Sequence, residues 1–244
     1  MNSYEPSHFA DFYKSLCGRL TSKIINQQII SLWPECHNMR VLMIGWPFPY
    51  ISHFQKTATH VSVAIPHSDE DKKKTIQNYL DPSCVCVDIN NLPFEERSFD
   101  RIIMVHGCEY AYDLPQIFHD IERLLTDDGR LIAIVPNLSG IWRKNKSTPF
   151  SAGSAVTSNQ LRWAMQHGGF AVEYFGHALS FPPTQNKRFL SLAAKWEGKG
   201  QYFTAFLCGT HIFEAHKNLF SGTVVKPATK LEIMEHQQLS GATK

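Results

Sequence analysis

The sequence predicts an α/β fold in which a parallel sheet is covered by helices on both faces. Two observations carry that prediction. From Arg40 to Phe175, short apolar runs alternate with longer stretches of helical periodicity, the pattern of βαβ units rather than of hairpins. A chain of 244 residues with 43% hydrophobic side chains is also long enough for one sizeable core, so a single domain with decorations is expected.

The elements follow in order. Phe9, Phe12, Tyr13, Leu16, Leu20, Ile24, Ile25, Ile29 and Leu32 stand at helical spacing, and Pro34 ends the pattern, so one or two helices precede the sheet. Strands are expected at 40–44, 61–65, 84–87, 101–105, 131–135 and 171–175, with helices at 50–56, 69–79, 114–125 and 158–167. Asp127-Asp128-Gly129-Arg130 reads as a sharp turn from helix to strand, with Gly129 in the left-handed region. A further strand is expected within 201–213, and a polar, mobile tail from 221 onward. The expected organisation is a helical extension over 1–39, an α/β domain over 40–220 and the tail over 221–244.

Charge and cysteine usage narrow the function classes. With 24 basic and 22 acidic side chains the net charge is +2, and Lys72-Lys73-Lys74 is better explained as a solvated helix start, so no nucleic-acid partner is expected. Cys17, Cys36, Cys84, Cys86, Cys108 and Cys208 form no Cys-x-x-Cys pair, and MNSYEPSHFADF has no apolar signal core; reduced thiols in the cytoplasm are expected. Cys84-x-Cys86 puts two sulfurs on one strand face, but two ligands make no zinc site, and no metal site is expected. No apolar run approaches the ~20 residues of a membrane helix, so no membrane partner is expected either.

Asp88-Ile89-Asn90-Asn91-Leu92-Pro93-Phe94, then Ser98-Phe99-Asp100 and the apolar run to Val105, come before Leu124 to Leu131 and the later Gly168-Gly169-Phe170. In order and spacing these segments resemble the class I S-adenosylmethionine-dependent methyltransferases. GWPFPY at 45–50, Thr148-Pro149-Phe150 and the N-terminal helical stretch are similar to an uncharacterised bacterial branch of that family. The resemblance implies a doubly wound, mostly parallel seven-stranded sheet with one reversed strand, and S-adenosylmethionine as cofactor. It places the cofactor at the carboxyl ends of the first, second and fourth strands, where open α/β sheets bind ligands.

Carried over position by position, the resemblance implies Gly45, Trp46, Pro47, Ala64, Asp88, Ile89 and His106 as cofactor-binding, and His106 and Glu109 as catalytic. Gly45 alone keeps the family's Gly-x-Gly-x-Gly turn. Met43 stands in place of the acidic residue, and Pro47 and Pro49 replace the later glycines, each removing an N–H and fixing φ. Pro49 fits the first residue of the following helix, where a missing N–H costs little. Trp46 and Phe48 can wall the sulfonium through their ring faces, or fill volume that a cofactor has left. Ala64 stands where the ribose-holding carboxylate belongs, a loss of ~1.5–3 kcal/mol of affinity; His67, Ser68 or Asp69 are candidate substitutes, with helix capping the simpler role for the last two. Asp88 can accept from the adenine amino group while the Ile89 N–H reaches the ring, or serve an ordinary polar turn. His106 is the candidate general base with Glu109 orienting it or the substrate, or else a satisfied structural histidine.

The 139–153 loop carries Trp142, Arg143, Lys144, Lys146 and Phe150. These fit an acidic or flat partner, or a solvated connection with Trp142 in the core. Two functions are in view: a methyltransferase acting on a small molecule, where holding the acceptor in line supplies most of the catalysis, or a regulatory protein that kept the fold and lost the cofactor. A third is a subunit that activates a protein partner through the N-terminal helix or the 139–153 loop. An adenosine-shaped pocket between Gly45 and Asp88 marks the first; aromatic rings filling that space, with Asp88 in solvent, mark the second.

Overall fold

Two helices lead into the sheet, α1 over Pro6–Lys14 and α2 over Leu16–Leu32. The break between them is Ser15, whose hydroxyl accepts from the Gly18 N–H and caps α2. The computed structural model describes residues 6–66, 84–137, 139–153, 156–196 and 208–218. The helix expected at 69–79 and the tail from 221 lie outside the described residues.

Seven strands form one sheet: β1 Arg40–Gly45, β2 His60–Pro66, β3 Cys84–Val87, β4 Phe99–Val105, β5 Leu125–Pro136, β6 Phe170–Ala178 and β7 Thr210–Lys217. Their order is β3-β2-β1-β4-β5-β7-β6. The first five strands are parallel, and β7 runs antiparallel to both β5 and β6, the one reversed strand of the expected architecture. The remaining helices are α3 Ile51–Thr57, α4 Leu114–Leu124, α5 Ser158–His167 and α6 Lys187–Trp196.

Side chains alternate along each strand, and both faces are buried, so the strands read as unbroken apolar runs. Val41, Met43, Val63, Ile65, Ile103 and Val105 pack with Phe9, Ile25, Ile29 and Phe54 of the first three helices. Leu42, Ile44, Ala64, Ile102 and Met104 pack on the other face with Phe118 and Ile121 of α4 and Leu161 and Met165 of α5. Asp113 caps α4 by accepting from the Gln116 N–H, and Thr157 and Gln160 form a reciprocal capping box on α5. At the opposite end from the site, the Arg40 N–H and guanidinium bond the Asp100 carboxylate and tie β1 to β4.

Three expectations need correction. Gly129 is not in the left-handed region. Phe99 pairs with Leu125 and Arg101 already pairs with Arg130, so Thr126 to Gly129 bulge from a strand that starts directly after α4. A Cβ on Gly129 would lie 2.6 Å from Leu125 Cβ; close approach is why glycine stands there. The last strand begins at Thr210, later than expected, with 201–207 outside the described residues. Pro49 is not the first residue of α3: Tyr50 is its N-cap and donates its N–H to Pro47 O at 2.8 Å, so the proline closes a turn before the helix begins.

Candidate functional site

β1 and β4 end side by side, Gly45 against Val105. Gly45 has φ +95, and a Cβ there would lie 1.9 Å from Val105 O; no other residue tolerates both conditions. The chain then crosses the tip of β4, with Trp46 N donating to Val105 O at 2.8 Å. Pro47 is buried beside it and starts the turn into α3.

β4 runs into His106, a non-glycine residue at φ +54 that is 1% exposed. Its Nδ1 lies 3.3 Å from Glu109 Oε1, and its Nε2 lies 2.9 Å from the Tyr13 hydroxyl of α1. Tyr13 in turn meets the Tyr50 hydroxyl at 3.1 Å. Glu109 is buried at the start of a short 3-10 turn, Cys108–Tyr110, and its Oε2 has no hydrogen-bond partner among the described residues. Such a buried acceptor is costly unless something donates to it. Burial pushes the Tyr50 hydroxyl well above its ordinary range, only partly offset by Tyr13. The Cys108 thiol is raised by burial and then by the Glu109 charge, so it is neutral. Gly153, at φ +80, presses on Glu109, where a Cβ would come within 2.3 Å of Glu109 Cβ.

Aromatic rings close over this dyad. Phe9 of α1 stacks on Trp46 at 5.4 Å between centroids and lies 5.0 Å from His106, and Phe150 lies 5.0 Å from His106 on another side. Phe48 abuts Trp46 edge-on at 4.8 Å. Trp46 is therefore fully buried, and the rings fill the space against the strand ends.

The other expected residues are scattered around this centre. Ile89 is buried, and its Cδ1 would be 3.3 Å from a Cβ on Gly107, the residue after His106. Asp88 is exposed, and its Oδ1 accepts from Asn90 N at 2.9 Å and Asn90 Nδ2 at 3.1 Å, the polar-turn arrangement. Ala64 lies within the core on the α4 and α5 face and brings no polar atom to the strand ends. His67, Ser68 and Asp69 lie outside the described residues. In the 139–153 loop the aromatics are not a docking surface: Trp142 is buried and donates Nε1–H to Leu179 O at 3.1 Å, and Phe150 is buried beside it. Arg143, Lys144 and Lys146 are exposed. Tyr13, Phe9 and Phe150 are the residues that the sequence reading missed at the dyad: helical spacing marks the first two only as core positions, and Phe150 reads as part of the 139–153 loop.

Residues 44–133 match the family model for the methyltransferase domain. The malonyl-[acyl-carrier protein] O-methyltransferase of Halorhodospira halophila is 24% identical over 101 residues, which cover 39% of this chain and 34% of that protein. The match thus spans about a third of that relative's length. A S-adenosylmethionine-dependent methyltransferase of Thermotoga maritima superposes with a TM-score of 0.60 at 18% identity, covering 86% of this chain and 95% of that one. One from Aquifex aeolicus gives 0.58 at 12%, covering 88% and 100%, and a complex of the Haloferax volcanii Trm112 methyltransferase activator with a methyltransferase gives 0.58 at 14%, covering 89% and 98%. These likenesses establish the fold. The methyltransferase-domain match runs from β1 to β5 and includes the tight Gly45 turn where the fold brings β1 against β4; in fold the chain is similar to S-adenosylmethionine-dependent methyltransferases.

Proposed function

We propose that the chain transfers a methyl group from S-adenosylmethionine to a small-molecule acceptor, with His106 taking the acceptor's proton. The observation that carries this reading is the buried His106–Glu109 pair, held at the tip of β4 by a backbone in the left-handed region. Strain of this kind costs on the order of 1–3 kcal/mol and persists where the surroundings over-determine it, often at functional sites.

The chain's own residues fit the cofactor in part. Gly45 lets the backbone approach closely, Asp88 and the Ile89 N–H offer an adenine edge, and Glu109 Oε2 is a buried acceptor ready for a donor. Ala64 gives the ribose no partner. When bound, S-adenosylmethionine supplies an electrophilic methyl group on a sulfonium. Glu109 accepts from His106 Nδ1–H and leaves Nε2 as the basic nitrogen. Tyr13 meets that nitrogen in the structure, so an acceptor hydroxyl or amine takes the place of the Tyr13 hydroxyl. The Phe9, Trp46 and Phe150 rings keep water from the dyad. In this account the N-terminal extension is a cover, and α1 withdraws for ligands to enter. The exposed Arg143, Lys144 and Lys146 are the candidate surface for a protein partner, as an activator is for the Haloferax volcanii methyltransferase.

Transfer of isotopically labelled methyl to a panel of small hydroxyl, amine and carboxylate acceptors tests the proposal. His106→Gln is expected to lower the rate about 10²- to 10⁴-fold, the usual worth of a positioned base, while S-adenosylhomocysteine still binds. Loss of binding together with activity would assign His106 to the cofactor instead. The filled space and the exposed Asp88 favour a second reading, a regulatory protein without the cofactor; it predicts no labelled product and no ligand-induced stabilisation.

A further inference from the structure

We propose that His177, Cys208 and His211 form a binding site for a zinc-class divalent ion. His177 on β6 and His211 on β7 are directly paired across the antiparallel ladder, so both imidazoles stand on one face of the sheet. Cys208 lies just ahead of β7. The two Nδ1 atoms are 3.0 Å apart, and Cys208 Sγ lies 3.6 Å from His177 Nδ1 and 3.9 Å from His211 Nδ1. Tetrahedral zinc, with bonds of about 2.0–2.1 Å to nitrogen and 2.3 Å to sulfur, separates its ligand atoms by roughly 3.3 Å for N···N and 3.6 Å for N···S. Three corners of such a tetrahedron are already in place to within a few tenths of an ångström.

The donor set selects the ion. Two imidazoles and a thiolate favour zinc over magnesium or calcium, which take oxygen ligands. Both histidines are held toward the neutral, ligating form. Burial and then the neighbouring His177 bring His211 down to about 4, and burial lowers His177. Asn137, at the end of β5, donates Nδ2–H to Cys208 Sγ at 3.2 Å and to Cys208 O at 2.9 Å. An N–H aimed at the sulfur favours the thiolate and fixes its direction, as outer-shell donors do at metal sites. The Phe175 ring lies against both imidazoles, with Phe213 packed behind it, and Cys208 and His211 are buried while His177 is half-buried. Binding expels one proton, that of the Cys208 thiol. The proton shared between the two Nδ1 atoms moves to the outer nitrogen of its own ring. The ion then clasps the edge strand β6 to the chain entering β7.

The test is titration of the full-length, chelator-stripped chain with cobalt(II) alone, which reports thiolate ligation through a near-ultraviolet charge-transfer band. One equivalent of cobalt is expected to produce that band, and one equivalent of zinc to abolish it. Cys208→Ser is expected to lose the band, and Cys86→Ser, a half-buried thiol elsewhere, to keep it. His177→Ala leaves no deep cavity, so it serves if the Cys208 variant does not fold; it is expected to lose stoichiometric binding. No band in the wild-type chain, or a band that survives Cys208→Ser or His177→Ala, overturns the proposal.

Discussion

His106 is held between an acid on its own turn and a phenol from the far N-terminus, and neither contact is optional for a ring buried this deeply. Glu109 is near in sequence, so the pair was legible there; Tyr13 lies 93 positions away, and nothing in a helical apolar stripe marks one phenol as a site residue. Tyr13→Phe leaves His106 Nε2 without that partner and is expected to cost about 1 kcal/mol in urea denaturation. Gly45→Ala meets both a left-handed φ and the Val105 carbonyl; a loss of at least about 2 kcal/mol is expected from strain alone. Tyr50 offers a pH signature. Its folded-state hydroxyl titrates well above that of a free tyrosine because it is buried. The stability this contributes is present below the unfolded value of about 10 and lost as pH rises beyond it. Ultraviolet titration is expected to show one tyrosine that ionises only as the chain unfolds, and Tyr50→Phe to remove that component.

Among the elements, α1 is the one that the proposed function makes a cover over the His106–Glu109 pair. Its inward face carries Phe9, Phe12 and Tyr13 onto Trp46, Phe150 and His106, so the covered state is held by apolar burial. Phe9→Ala is expected to lower thermal stability, by up to the 3–5 kcal/mol typical of a buried phenylalanine, yet to strengthen S-adenosylhomocysteine binding, because a larger share of molecules already has the helix displaced. Calorimetric titration of wild type and variant checks both signs; weaker binding would make α1 part of the ligand site rather than its cover. Periodicity located most elements because packing on both sheet faces enforces it. It failed at Asp127 to Gly129, where acidic and glycine residues that normally mark a turn instead form a bulge beside Leu125. It also failed at Trp142 and Phe150, since an aromatic pair within a basic loop reads equally as a surface or as an anchor, and only the Leu179 carbonyl and the Phe12 ring decide which.

At the scale of the molecule, the seven-strand order places the ends of β1 and β4 together at the centre of the sheet, and the order of motifs from Asp88 to Phe170 made that architecture readable before any coordinates. The strand ends were less readable: Met43 and Ala64, where the resemblance calls for carboxylates, are core residues on opposite faces of the sheet. The sheet is braced at its other end by Arg40 and Asp100. Burial alone would raise the Asp100 carboxyl, but hydrogen bonds and charge from Arg40 win and lower it. The contribution of this pair is thus present above the ordinary carboxyl range and lost as pH falls through it. Arg40→Ala is expected to flatten the acid limb of a stability-against-pH curve.

The most direct measurement is a thermal melt of the full-length chain titrated with S-adenosylhomocysteine. A ligand at the strand ends, present at a hundred times its dissociation constant, adds about 2.7 kcal/mol, which for a chain of this size raises the melting temperature by about 5–10 °C. That rise, with Trp46 fluorescence shifting as α1 moves off, is the predicted result. An unchanged melt at every concentration would contradict it.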